Sequence, residues 1–300
     1  MKVQLDCVQC SLRQALEAAR LVTTDLDIQK TIVLKSLEIL SKYDSYKTSP
    51  EMGGAVHEVV KEYTGNEDPY EKVKRVAIKM AHDAHPALKR YVETQEDRLL
   101  SALEVSAVGN LLDAGVYGDM RTVDMEAVLN RELTKGFTVC DIKALREDLK
   151  NAETIVIIGD NAGETVLDRI LISEIKNVSG GKVGVFYGVR GVPIINDATA
   201  EDAVASGLDH DATIISTGSV VPGLVLDKAD PDFLKLYCDA DVVISKGQGN
   251  YETLSDAAGR ALYFLLKAKC EAVARDIAVS VGANVLVRKQ LGEEEEFRKS

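Results

Sequence analysis

Thr154-Ile-Val-Ile-Ile-Gly-Asp-Asn-Ala-Gly-Glu164 runs from an unbroken Val/Ile stretch straight into two oxygen-bearing side chains and a glycine. An apolar run without polar alternation suits a strand buried on both faces, the usual condition of a parallel sheet. Gly163 then opens a stretch whose apolar residues Val166, Leu167 and Ile170 recur at helical spacing. Strand, short turn and helix in that order are half of a βαβ unit. Similar short runs at 182–187, 212–216, 241–245 and 283–287 alternate with helix-like stretches, while 261–266 reads equally as a strand or a buried helix. The expected class is therefore α/β, with a mostly parallel sheet flanked by helices.

Upstream the texture differs. From Asp6 to about Leu149 the apolar residues fall at helical spacing, as in Leu12, Leu16, Ala19 and again Ile32, Leu37, Leu40. Breaks rich in Gly, Pro, Asp, Asn, Ser and Thr fall at 23–27, 46–54, 64–69 and 115–122. The chain thus divides into a helical region over 1–150, an α/β domain over 151–290 and a charged tail over 291–300. The Glu293–Glu296 run in that tail reads as a solvated segment.

Composition narrows the functions. A net charge of −12 over 300 residues disfavours nucleic acid as a partner, because affinity for a phosphate backbone comes from Lys and Arg. With no Trp there is little to stack single-stranded bases on. The sequence holds no apolar run of membrane-spanning length and no apolar core like that of a secretory signal at Met1–Cys10. Five scattered cysteines do not form a secreted disulfide framework, so the expected location is the cytoplasm. Oligomeric state has no signature in the sequence.

In an open parallel sheet ligands gather at the carboxyl ends of strands. Three segments put polar residues there. The first ends in Asp160 and Asn161, two hard oxygen donors, with the amides of Gly163 and Glu164 at a helix start that favours an anion. The second, Gly188-Val-Arg-Gly-Val-Pro-Ile-Ile-Asn-Asp-Ala-Thr199, carries Arg190 in a glycine-flanked loop, where it can fork onto a phosphate, and delivers Asn196 and Asp197. The third, Val242-Val-Ile-Ser-Lys-Gly-Gln-Gly-Asn-Tyr-Glu252, ends in Lys246 and a two-glycine loop whose amides can approach a ligand, although it is not a Walker A sequence. Each pattern taken singly is also an ordinary helix cap or turn. Together they suggest a divalent cation held by Asp160, Asn161 and Asp197, with Lys246 beside it, a set suited to phosphoryl transfer.

Other residues draw attention. Cys7 and Cys10 form a Cys-x-x-Cys pair able to hold a metal, form a redox couple or simply pack. His82 and His85 lie a helical turn apart and read as surface groups, and His57 and His210 show no recognisable partners. Lys267 and Lys269 follow an apolar run, and either can reach the site from a strand end.

Cys7-Val-Gln-Cys10, Gly159-Asp-Asn-Ala-Gly-Glu164, Pro193-Ile-Ile-Asn-Asp-Ala-Thr199 and Lys246-Gly-Gln-Gly-Asn-Tyr-Glu252 resemble, in order, the motifs of the metal-dependent damage-control phosphatases over nearly the whole chain. The Cys-x-x-Cys start resembles the prokaryotic branch of that family. The resemblance implies a helical region on a Rossmann-like domain and a divalent metal cofactor, Mn, Co, Ni or Mg. It implies metal ligation by Asp160, Asn161 and Asp197, and a substrate-phosphate loop at Lys246, Gly247, Gln248, Gly249 and Asn250. It also implies, by a looser match, a substrate-contacting Lys269, while Glu164 and Arg190 are expected beside the substrate from their own loop positions. The loop here is Lys-Gly-Gln-Gly-Asn, where the sugar-phosphate branch has an acidic residue after the glycine. The implied activity is hydrolysis of a small phosphorylated metabolite, a sugar phosphate or a nucleotide-like ester, with Asp160 as ligand or also as nucleophile. A Rossmann-like nucleotide- or cofactor-using transferase and a non-catalytic metal-binding protein are the competing readings.

Overall fold

The structure is a computed structural model and describes residues 1–109, 131–257 and 261–289. The 291–300 tail, residues 110–113 and the break at 115–122 lie outside the described residues. Three helices open the chain: α1 (Leu5–Val22), α2 (Leu26–Leu40) and α3 (Ser49–Thr64). Their starts follow local chemistry. The Asp25 side chain accepts from the Asp27 and Ile28 amides at the head of α2. Thr48 and Glu51 form a capping box at α3, with Pro50 in its first turn, and Gly65 at φ 63° ends it. Ala15, Ala18, Ala19, Ile32, Met52, Val56 and Val60 close the three into one cluster.

Helices α4 (Glu71–Thr94) and α5 (Arg98–Val108) carry the chain to the sheet layer. There β1 (Val139–Cys140), α6 (Ile142–Lys150), β2 (Thr154–Ile158), α7 (Glu164–Val178), β3 (Gly184–Val189), α8 (Ala200–Ala205) and β4 (Thr213–Ser216) follow in turn. Then come α9 (Pro231–Asp239), β5 (Val242–Lys246), α10 (Gly247–Leu254), β6 (Ala261–Lys267), α11 (Glu271–Ile277) and β7 (Asn284–Arg288). The strand order is β1-β7-β6-β5-β2-β3-β4. Pairing is parallel except between β6 and β7. The α/β class and mostly parallel sheet agree with the sequence.

Segment 261–266 resolves as a strand. Ala261, Tyr263 and Leu265 face one cluster while Leu262, Phe264 and Leu266 face the other, so burial on both sides explains why no alternation marks it. One element departs from the expected texture. β1 lies inside the stretch that reads as helical, because a two-residue strand paired with distant Val285 and Leu286 is too short to leave a periodic trace. Among the described residues no helix is long and apolar enough to cross a membrane.

The sheet changes direction at β2 and β5. From β2 the chain steps outward to β3 and β4, then returns to lay β5 on the other side of β2. The helices that follow these two neighbours diverge: α7 packs through Val166, Leu167 and Ile170 on one face, and α10 through Tyr251 and Leu254 on the other. Their separation opens a crevice at the carboxyl ends of β2 and β5, the place where an open α/β sheet accommodates a ligand.

Candidate functional site

The loop after β2 and the loop after β3 are stitched together. Ala162 donates its amide to Asn196 O at 2.8 Å and Ala198 to Asp160 O at 2.8 Å, so Asn161 and Asp197 face each other as an isolated β-bridge. This pairing brings together residues separated by a whole helix and strand. The turn into it is strained: Ile195 has φ 47°, a conformation a β-branched residue rarely adopts. Its side chain packs against the α1–α3 cluster, which holds the turn in place.

Above these loops lies a cleft of about 200 Å³. Asp160, Asn161, Ile195, Asn196 and Asp197 line it on one side, and Gln248, Gly249, Glu252 and Lys269 on another. The helical region closes it with Cys10, Ser11 and Gln14 of α1 and Ser49, Pro50 and Gly53 of α3. The first turn of α10 opens on the cleft, and the first amides of a helix lack intrahelical partners. Gly247 has φ +79°, and a Cβ there would stand 1.9 Å from Asp160 Oδ2, so the Asp160 carboxylate rests directly on this backbone.

The expected site residues divide into two layers. Asp160, Asn161, Asp197, Gln248, Gly249 and Lys269 share the cleft, with Lys269 exposed at its mouth. Glu164, Arg190, Lys246 and Asn250 are buried, and they and Gly247 lie behind its wall. The Lys246 ammonium turns inward, donating to Glu164 Oε2 and Asp168 Oδ1, each at 2.6 Å. The Arg190 guanidinium donates to Asp197 Oδ2 at 2.7 Å and Asn250 Oδ1 at 3.2 Å. Asn250 in turn donates to Gly159 O and Lys246 O, tying α10 to β2. The Lys246 ammonium, expected as a point charge beside a phosphate, is thus paired with two buried carboxylates, while Arg190, expected to fork onto a phosphate, keeps its buried Nη1 without a hydrogen-bond partner among the described residues.

Cys7 is half-buried and Cys10 exposed in the cleft wall, both free thiols. Burial raises the Cys7 thiol above its ordinary range despite hydrogen bonds from Gln4 and Ser49. Ser11, Gln14 and Ser49 carried no signal in sequence, since polar residues on a helix normally read as its solvated face, and Pro222 lies in a loop with no pattern to mark it. Asp168 and Tyr187 also escaped notice, lying mid-helix and mid-strand; Tyr187 OH donates to Asp168 Oδ2 at 2.6 Å.

The electrostatics point to a cation. Buried around the cleft are Asp160, Glu164, Asp168, Asp197 and Glu252, against Lys246 and Arg190 among the described residues. Burial lifts the Asp160 carboxyl to about 6, with the charge of Asp197 adding to it and Lys269, Arg190 and Lys246 opposing. Burial also raises Asp197, against the pull of Arg190. At Lys246 burial works against the ammonium, but Asp168 and Glu164 outweigh it and hold the pKa above its ordinary value. Asp160 and Asp197 beside the Asn161 amide, with Arg190 paired to Asp197 alone, form a hard-oxygen donor set suited to a divalent ion, which would neutralise the excess. Among the described residues no group of three or more His, Cys, Asp or Glu is arranged to hold a metal, so any site here depends on Asn161 as its third donor.

Comparison with known proteins agrees with this architecture. Residues 3–285 match the Damage-control phosphatase ARMT1-like domain. A damage-control phosphatase of Pyrococcus horikoshii is 35% identical over 291 residues, covering 97% of this chain and 99% of that one. A damage-control phosphatase of Archaeoglobus fulgidus is 37% identical over 286 residues, with 94% and 97% covered. The crystal structure of a DUF89 family protein from Pyrococcus horikoshii superposes with a TM-score of 0.89 at 34% identity, covering 97% of this chain and 100% of that one. The motif order, the two-layered site and these matches over nearly the whole length make this chain a member of the damage-control phosphatase ARMT1-like family.

Proposed function

We propose that this protein is a metal-dependent phosphatase that hydrolyses phosphomonoesters of small metabolites, a metabolite damage-control activity. The observation that carries the reading is the convergence of Asp160, Asn161 and Asp197 on one small cleft that also receives the first turn of α10. The names of the relatives support the reaction class. A cleft of about 200 Å³ suits a compact ester. Among the described residues its lining holds no aromatic side chain to stack on a base, which favours a sugar or polyol phosphate over a nucleotide.

In this reading Asp160, Asn161 and Asp197 hold a divalent ion such as Mn²⁺, which when bound supplies charge neutralisation and Lewis acidity at the phosphoryl group. The chain's own groups do the rest. The amides at the start of α10 hold phosphate oxygens, and the helix dipole favours their charge. Lys269 at the mouth adds a positive charge on the approach path. Arg190 aims the Asp197 carboxylate and opposes the burial that raises it, and Gly247 leaves room for the Asp160 carboxylate. Ser11, Gln14 and Ser49 offer hydrogen bonds to hydroxyl groups on the rest of the substrate.

The test is a panel of sugar phosphates and nucleotides assayed with Mn²⁺, Co²⁺, Ni²⁺ and Mg²⁺ after chelation. Turnover that needs added metal and is lost in Asp160→Asn supports the reading. Full turnover in chelator overturns it, and silence across the panel with Mn²⁺ still bound leaves a metal-binding protein. A phosphorylated chain trapped in the same assays, with the phosphoryl group mapped to Asp160, makes Asp160 a nucleophile as well as a ligand.

A further inference from the structure

A carboxamide presents oxygen on one side and nitrogen on the other, and a hard divalent cation accepts only the oxygen. The orientation of Asn161 is therefore decided by whatever stands behind it. Glu164 Oε1 accepts from Asn161 Nδ2 at 2.7 Å, the shorter of two bonds from that nitrogen, the other going to Asp160 Oδ2 at 3.3 Å. Glu164 Oε2 accepts from Lys246 Nζ at 2.6 Å. With both oxygens already accepting, this carboxylate admits only the nitrogen end of the Asn161 amide.

Glu164 has little freedom to move away. It is fully buried, and a Cβ on Gly109 at the end of α5 would come within 2.9 Å of its Cγ, so the helix backbone packs directly on it. Lys246 is fixed in turn by Asp168 Oδ1 at 2.6 Å and by the Ser106 carbonyl at 3.4 Å. Asp168 accepts from Ser106 Oγ and Tyr187 OH, each at 2.6 Å. The network thus runs from the tip of β5 through α7 to one atom of Asn161.

We propose that Glu164, clamped by Lys246, is a positioning residue that turns the Asn161 oxygen toward the cation shared with Asp160 and Asp197. The proposal rests on the metal-dependent reading above and extends it to the layer behind the ligands. It gives Lys246 a structural partner in place of a substrate phosphate.

The test measures Mn²⁺ binding to the full chain without substrate, by calorimetry or by loss of the free-ion EPR signal. Glu164→Gln keeps the shape but offers a donor as well as an acceptor, so only the longer bond to Asp160 still selects the nitrogen end of the Asn161 amide. Mn²⁺ affinity is expected to fall about 10–100-fold, the usual effect of losing a group that orients a ligand, with kcat recovering at saturating Mn²⁺. Asn161→Asp alone sets a carboxylate against Glu164 and weakens binding. Combined with Glu164→Gln it places oxygens on both sides of position 161, so the double variant regains most of the lost affinity. A residue that merely stabilises the fold would give no such rescue.

Unchanged affinity in Glu164→Gln, or a double variant no better than the single one, overturns the proposal. Should Glu164→Gln fail to fold, Glu164→Asp keeps the charge for Lys246 but draws back from Asn161. Its Mn²⁺ affinity is expected to fall in the same way, and unchanged affinity there overturns the proposal equally. Wild-type protein that binds no Mn²⁺ removes the metal-dependent reading and this proposal together. Binding that is abolished by Asp160→Asn but untouched by Glu164→Gln removes the proposal alone.

Discussion

At Gly247 a single hydrogen in place of a methyl group decides whether Asp160 has anywhere to sit. Because φ is +79° and a Cβ would fall 1.9 Å from Asp160 Oδ2, Gly247→Ala faces both backbone strain and a collision. We expect a loss of about 1–3 kcal/mol in urea unfolding and a fall in kcat/KM of about 100-fold from the displaced carboxylate. Wild-type kinetics in that variant would separate Asp160 from the chemistry. The glycines of the Gly-Gln-Gly loop were legible in the sequence as a close approach to something. That the approaching group is the chain's own aspartate was not, since the contact spans the β2–β5 crossing.

Two helices carry predictions of their own. Lys246 caps α10 from the end of β5, yet its ammonium belongs to α7 through Glu164 and Asp168. Lys246→Met strands two buried carboxylates, so stability is expected to drop by about 3–5 kcal/mol; a lysine reaching only for substrate would lose activity while the melting temperature held. On α3, burial lowers the His57 imidazole to about 4, with Lys61 adding to the effect, and its Nε2 has no hydrogen-bond partner among the described residues. The unfolded chain takes up this proton below about 6.5 and the folded one only near 4. The contribution of His57 is therefore intact above pH 6.5 and declines as pH falls toward 4, by about 3 kcal/mol in all. Urea titrations at pH 7.5 and 4.5 should show wild type losing more on acidification than His57→Leu. Equal losses would contradict the buried neutral imidazole. His57 looked partnerless in the sequence, and its confinement follows only from the packing of α3 among α1, α2 and Tyr70.

On the scale of the whole molecule, the five buried carboxylates Asp160, Glu164, Asp168, Asp197 and Glu252 gather around one cleft against Lys246 and Arg190 among the described residues, which leaves like charges repelling one another there. In the proposed reading function and stability oppose each other at the same residues. Adding Mn²⁺ at about 100 times its dissociation constant should stabilise the native state by about 2.7 kcal/mol, read as a rise in melting temperature. Asp160→Asn removes one of the repelling charges, so without metal it is expected to melt above wild type while losing the Mn²⁺-induced rise. A variant that melts lower and still responds to Mn²⁺ would place the cation elsewhere.

The sequence by itself determined the class of the fold and the candidate chemistry. Buried strands announce themselves as Val/Ile runs, and Asp160, Asn161 and Asp197 stand shortly after two of them. It could not say which way Lys246 and Arg190 point. A loop lysine has the same spelling whether it meets a ligand or a buried carboxylate, and Asp168, the partner that decides, lies mid-helix. Nor could it assign α1 and α3 to the cleft wall, because a polar helix face reads as solvated until another element covers it. Those choices belong to tertiary structure, where burial fixes charges in pairs and the direction of each side chain depends on residues far along the chain.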